Sequence, residues 1–261
     1  MTYTLARHPY PPAVRSMRLA ERSTLAGGFV RVRLVEAVPG ELAGFVAPGA
    51  GDHVRVLVGS PDGGAVTTVD QGAPYRTETV VAHDAAAGWI DLDILDHDGH
   101  GVIGPWATHA PLGSPALVAG PKGSVVITGR PEQWVIAGDD SAIPAMRRYL
   151  ALLHGRGEGM LVLETTADLG PKELTALGLD GLEARGRVEV SIHRPQSGAP
   201  GAALVTALET LPAPGDPLER FVFACAEQSI VAPVRSLLAR WGIDVERAVV
   251  KGYWRRADTE Q

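Results

Sequence analysis

A single cysteine, Cys225, stands in 261 residues. One thiol closes no internal disulfide and builds no cysteine-based zinc site, which excludes a small secreted scaffold or a zinc ribbon and leaves Cys225 as a buried strand residue. Long apolar runs are missing as well. No stretch approaches the roughly 18 apolar residues that a membrane helix needs, and the N-terminal residues Arg7, His8, Pro9, Pro11, Pro12 and Arg15 surround no signal-peptide core. A soluble, cytoplasmic chain with no membrane partner is expected. Positive charge is the minority sign: 24 Lys and Arg against 30 Asp and Glu give a net charge of -6. No stretch of clustered Lys and Arg resembles a phosphate-tracking stripe with interleaved aromatics, so nucleic acid is not an expected partner. Histidine is present, at His53, His83, His97, His100 and His109 in the first half, but no pair has i, i+4 spacing on a helix and no compact ligand set forms, so no metal site is expected.

What remains is ordinary globular composition, 45% hydrophobic and 21% charged. The 31 glycines and 20 prolines call for many turns, without the low-complexity bias of a disordered chain. At roughly 100–200 residues per domain, the length accommodates two domains.

The two halves have different rhythms. Up to about Thr128, short segments alternate apolar and polar residues with the period of two that marks half-buried strands. Phe29–Val35, His53–Val58, Thr77–Val81 and Trp89–Leu95 are the clearest, separated by turns such as Pro61-Asp62-Gly63-Gly64. Short strands so spaced predict a six-stranded antiparallel barrel over residues 1–129. From Arg130, apolar runs alternate with helical segments, the rhythm of a parallel α/β sheet over residues 130–261. Trp134–Ala137, Met160–Leu163, Val188–Ile192, Phe221–Ala224 and Ala248–Val250 are the predicted strands. Helices start near Ser141, Pro171, Ala202 and Ser229, and Gly242 is placed to cap the last.

Right-handed crossovers put the ligand edge of such a sheet at the carboxyl ends of its strands. The loop after the first strand, Ala137 to Met146, is therefore the candidate nucleotide contact. It lacks the G-x-G-x-x-G fingerprint, and a plain acidic helix cap reads the same residues equally well.

Several strings, taken in order, resemble the siderophore-interacting protein family of flavin-dependent ferric-siderophore reductases. They are Gly51-Asp52-His53-Val54-Arg55-Val56, Arg76-Thr77-Glu78-Thr79-Val80, His97-Asp98-Gly99, Trp106-Ala107, Ala119-Gly120-Pro121-Lys122-Gly123-Ser124, Ala137 to Ala145, and Lys251-Gly252-Tyr253-Trp254-Arg255-Arg256. The resemblance spans nearly the whole chain and implies a barrel of ferredoxin-reductase type that holds FAD. It also implies an α/β domain that meets NAD(P)H, and a ferric siderophore as small-molecule partner. By the same resemblance Arg76, Thr77, Thr79, His97, Gly104, Trp106 and Ala107 fall to FAD, and Gly138, Asp139 and Pro144 to the nucleotide. Lys251, Arg255 and Arg256, a short basic cluster at the end of the last strand, suit an anionic substrate by their charge, and Trp254 beside them reads equally as a cover for a bound ring or as a residue closing the domain interface. The basic residues among these also suit a nucleotide phosphate or simply a solvated edge, and Trp106 reads first as a packing residue.

The chain departs from the family at its first barrel signature, Arg-x-Tyr-Thr/Ser-x-Arg. Glu78 replaces the tyrosine that packs on the isoalloxazine, and Val81 replaces the closing arginine. Tyr75 is three residues from the vacated position, and an odd shift along a strand reverses the face a side chain occupies. A lost stacking partner costs roughly 1–3 kcal/mol and a lost charge-assisted hydrogen bond roughly 1.5–3 kcal/mol. Together they weaken flavin affinity by roughly 10²- to 10⁴-fold. In the second domain Ala226 stands where the family carries glycine. A second reading follows, in which the cleft is flavin-free and takes a hydrophobic natural-product intermediate. The chain would then be a cofactor-independent cyclase or isomerase, or a binding protein, with Glu78 as general acid or base.

Overall fold

The computed structural model describes residues 3–59, 75–96, 99, 101–153, 157–179, 188–195 and 199–256. The chain divides into two units: Arg7–Val126 make one, and the residues from Ile127 onward, joined by those up to Ala6, make the other.

The first unit is a closed barrel of β2 (Val14–Thr24), β3 (Phe29–Glu36), β6 (Trp89–Leu95), β5 (Arg76–Asp84), β4 (His53–Val58) and β7 (Pro115–Ala119), paired antiparallel in that order. Alternation explains the closure. Val32 and Leu34 of β3 face Leu92 and Ile90 of β6, and all four are fully buried. On the opposite face Arg31 makes two hydrogen bonds to Asp93, at 2.7 and 3.0 Å, and Arg33 makes two to Asp91, both 2.8 Å. A one-residue slip would bury the arginines and expose the valine and leucine, so this ladder fixes the register. The single helix described in this unit, α1 (Ile103–His109), puts Ile103, Trp106 and Ala107 into the barrel core. Arg22 of β2 donates to the carbonyls of Thr108 and Ala110 and so ties down the end of that helix. A short sheet pairs β1 (Thr4–Pro9) with β8 (Gly123–Thr128).

The second unit is a five-stranded parallel sheet of order β11-β10-β9-β12-β13, formed by Val188–His193, Glu158–Glu164, Gln133–Asp139, Arg220–Glu227 and Ala248–Trp254. Every residue of β12 is buried, as a central strand covered on both faces requires. The connecting helices are α2 (Ile143–Leu153), α3 (Pro171–Ala176), α4 (Ala202–Glu209) and α5 (Val231–Arg240). The Tyr149 ring of α2 lies 4.7 Å from that of Phe223 in β12, tilted at 40°, and Gly138 lets this helix approach. A Cβ there would lie 2.6 Å from Ala142 Cβ and 2.7 Å from the Cys225 carbonyl. Short 3-10 turns at Asp140–Ala142 and Gln228–Ile230 start the segments expected near Ser141 and Ser229. Gly242 takes the expected left-handed capping conformation, with φ +70°. Cys225 is buried in β12.

Candidate functional site

The barrel site is built from β5 and its pairing with β4. Arg76 lies opposite Val56 and Glu78 opposite Val54, while Thr77 and Thr79 lie opposite Arg55 and His53. Val54 and Val56 are core residues, so Arg76, Glu78 and Val80 share the face that turns into the barrel, and Thr77 and Thr79 share the outer face. Glu78 is half-buried and Arg76 exposed, which places them at the barrel's mouth. Tyr75 belongs to the outer face, where its ring lies 4.4 Å beneath the Arg55 guanidinium. It does not fill the aromatic position that Glu78 has taken. A bulge between Val80 and Ala82 breaks the period at Val81, the position of the missing arginine.

Burial pushes the Glu78 carboxyl up to about 8, and the Arg76 cation pulls it down without cancelling the effect. Among the described residues that carboxyl has no hydrogen-bond partner. At neutral pH Glu78 is therefore largely uncharged.

A glycine loop stands beside Arg76. Gly101 has φ +83°, and a Cβ on it would sit 3.8 Å from Arg76 Nη2. The loop is anchored by Asp96, whose carboxylate accepts from the Gly99 amide at 3.0 Å and from the Thr108 hydroxyl at 2.8 Å. Gly104 must be glycine, because a Cβ would fall 2.7 Å from Asp96 Oδ1. Asp96 and Thr108 are positioning residues that the sequence did not single out. The Asp-x-x-Gly spacing at Asp96 and Gly99 was the signal available for the first. Trp106 and Ala107 are buried in the barrel core and act by packing. His97, with Asp98 and His100, lies outside the described residues.

At the α/β edge, strand order reverses between β9 and β12, which is where open sheets hold their ligands. Here the crevice contains Asp139. Its Oδ1 accepts from the Ser141 amide and hydroxyl, and its Oδ2 accepts from the Glu227 amide at 3.1 Å and from Trp254 Nε1 at 2.7 Å. Burial nonetheless leaves the Asp139 carboxyl raised, since desolvation outweighs these bonds. Glu227 accepts from the Ser229 amide at 2.6 Å and the Arg256 amide at 3.1 Å. Desolvation acts upward on it too, but those bonds prevail and lower its pKa. Glu164, at the end of β10, accepts from Gly201 and Leu204 amides at 2.7 and 2.8 Å, at the start of α4. The helix starts at this edge are thus occupied by carboxylates of the chain itself. Gly138 and Pro144 are buried against the sheet. Lys251, Arg255 and Arg256 are exposed, beside a Trp254 that is 41% exposed and fixed through its ring nitrogen to Asp139.

Among the described residues no three His, Cys, Asp or Glu side chains gather as a metal site, and no helix is long and apolar enough to cross a membrane.

An antiparallel six-stranded barrel and a parallel five-stranded α/β unit define the ferredoxin-reductase-like fold. Residues 131–257 match the profile of the siderophore-interacting protein family, and residues 18–125 match that of the siderophore-interacting FAD-binding domain. The chain belongs to the siderophore-interacting protein family. An uncharacterized protein of Mycobacterium tuberculosis is 33% identical over 195 residues, covering 72% of this chain and 67% of that protein. The NADPH-dependent ferric-chelate reductase of Escherichia coli is 32% identical over 160 residues, covering 55% of this chain and 61% of the reductase. The crystal structure of a siderophore utilization protein from T. fusca superposes with a TM-score of 0.77 at 26% identity, covering 98% of each chain.

Proposed function

We propose that this protein is an FAD-dependent reductase of ferric siderophores that draws its electrons from NAD(P)H. The observation that carries the reading is the exposed Arg76 guanidinium set against the Gly101 loop at the mouth of a barrel that matches a FAD-binding domain. A cation beside accessible backbone is the chemistry a flavin pyrophosphate needs. Glu78 does not oppose it, because a carboxyl uncharged at neutral pH does not repel an anionic ring. These residues fit the cofactor. FAD, when bound, supplies the conversion of a two-electron hydride into single electrons.

The chain's own contribution is binding and charge. Arg76 holds phosphate, and Gly101 and Gly104 keep the loop low enough for close approach. In the α/β unit the helix starts do not fit a pyrophosphate, since Asp139, Glu164 and Glu227 occupy them. The groups suited to a dinucleotide phosphate or an anionic chelate are the exposed Lys251, Arg255 and Arg256, with the Trp254 face for a ring. Reducing the iron lowers its charge and with it the Coulombic hold of the siderophore oxygens.

The test is production of iron(II), trapped by a chromogenic chelator, from a ferric catecholate or hydroxamate complex with FAD and NADH or NADPH supplied. Turnover that requires both FAD and the nucleotide is expected. No iron(II) above the protein-free rate would overturn the reading.

A further inference from the structure

Glu78 has no part in the function as stated, and its surroundings give it one. It sits on the inward face between Val54, its partner on β4, and Val80, two residues on in its own strand. The charged groups of the neighbouring strands are turned elsewhere. His53 and Arg55 of β4 lie on the outer face, as do Asp91 and Asp93 of β6, which are held by Arg33 and Arg31. Asp96, beyond the end of β6, is engaged by Gly99 and Thr108. Arg76 is the charged group that acts on the Glu78 carboxyl among the described residues.

A carboxyl set between Val54 and Val80, with one exposed cation near it and no hydrogen-bond donor on its ionised form among the described residues, keeps its proton. A protonated carboxyl carries one O–H donor. Among the described residues that donor is uncommitted, and it stands where the family's signature places an aromatic side chain. Whatever ring enters the mouth therefore meets a hydrogen-bond donor instead of a stacking face.

Building on the flavin reading, we propose that Glu78 is the positioning residue for the ring system bound at the barrel mouth, donating a hydrogen bond from its protonated carboxyl to an acceptor on the ring edge. The ligand class this selects is a planar heteroaromatic ring with nitrogen or carbonyl acceptors at its rim, attached to an anionic tail that Arg76 receives. A second consequence is that binding depends on the carboxyl's proton. Ionisation removes the donor and replaces it with a charge that repels the same acceptors.

The experiment is equilibrium binding of FAD, and separately of riboflavin, followed by flavin fluorescence from pH 6 to pH 9 in the wild type, Glu78→Gln and Glu78→Ala. Riboflavin carries the ring without the phosphates, so it isolates the Glu78 contact from that of Arg76. In the wild type, affinity for both ligands should hold steady up to the carboxyl's pKa, about 8, and then fall by about tenfold per pH unit. Glu78→Gln donates through its amide and does not titrate, so it should keep the low-pH affinity throughout and remove this fall. Glu78→Ala should bind at least fivefold more weakly than the wild type at pH 6. The Gln profile also controls for titration of the ligand itself.

Identical pH profiles in wild type and Glu78→Gln, or wild-type affinity at pH 6 in Glu78→Ala, would overturn the inference while leaving the flavin reading intact. No binding of either ligand by any of the three proteins at any pH would overturn both.

Discussion

Replacing Glu78 by Gln should make the folded protein more stable at neutral pH and remove a pH dependence, even with no ligand present. The folded-state carboxyl is raised from 4.5 to about 8, so the unfolded chain releases this proton first as pH rises. Below about 4.5 both states hold the proton and Glu78 costs nothing. Between 4.5 and about 8 the folded state loses stability at about 1.4 kcal/mol per pH unit, and above that window the loss is complete. At pH 7 the deficit is about 3 kcal/mol, and solvent at the barrel mouth trims it toward about 2. Glu78→Gln fills the same volume and has no proton to lose, so it should recover that amount. At about 2–4 °C per kcal/mol for a chain of this size, the melting temperature at pH 7 should rise by about 4–12 °C. The assay is thermal unfolding of wild type and variant from pH 4.5 to pH 8.5, reported as the difference between the two curves, in which all other titrating groups cancel. The difference should be near zero at the acid end and grow steadily to pH 8. A difference that stays constant across that range would refute the assignment of a retained proton to Glu78.

Three further outcomes follow from other contacts. Arg76→Ala removes the cation beside the Gly101 loop and should weaken FAD binding about ten- to hundredfold, the worth of one charge-assisted hydrogen bond, with riboflavin affinity unchanged in the same titration. Glu78→Tyr combined with Val81→Arg restores an aromatic side chain and a cation to the barrel signature. It should tighten FAD binding by about 10²- to 10⁴-fold and abolish the pH dependence, both measured by fluorescence. In the α/β unit Glu164→Gln keeps an acceptor for one of the Gly201 and Leu204 amides and turns an NH2 donor toward the other. It should cost about 1–3 kcal/mol in urea unfolding, with no change in flavin affinity.

The barrel was legible wherever one strand face is apolar without interruption. Val32 and Leu34 on β3, and Ile90, Leu92 and Ile94 on β6, declare the inner face by spacing alone. Alternation marks only Thr77–Val81 of β5, which runs Arg76–Asp84, because Glu78 puts a polar residue on the inner face and the bulge at Val80/Ala82 breaks the period. The same two irregularities make β5 the strand that carries the site. Four of the five parallel strands stand out as compact apolar runs, and the edge strand at Val188–Ile192 stands out by its apolar-polar alternation. Tertiary contacts were out of reach. The acidic cap at Asp139 is local and one of the two readings of its loop, but its bonds to the Glu227 amide and to Trp254, and the reach of Glu164 to the Gly201 and Leu204 amides, join residues too far apart in sequence for spacing to reveal. Asp96 and Gly104 are eight residues apart, and nothing in their spacing reveals that the side chain of one occupies the space a Cβ on the other would need.

Flavin binding by a barrel that carries Glu78 and Val81 in place of an aromatic residue and an arginine is tested by incubating the purified protein with excess FAD at pH 6.5, desalting it and recording its visible spectrum. Flavin absorption that stays with the protein, and bleaches when NADH or NADPH is added anaerobically, is the predicted result. A colourless protein that shows no saturable FAD binding up to high micromolar concentrations would contradict it, and would assign the barrel mouth to a different organic ligand.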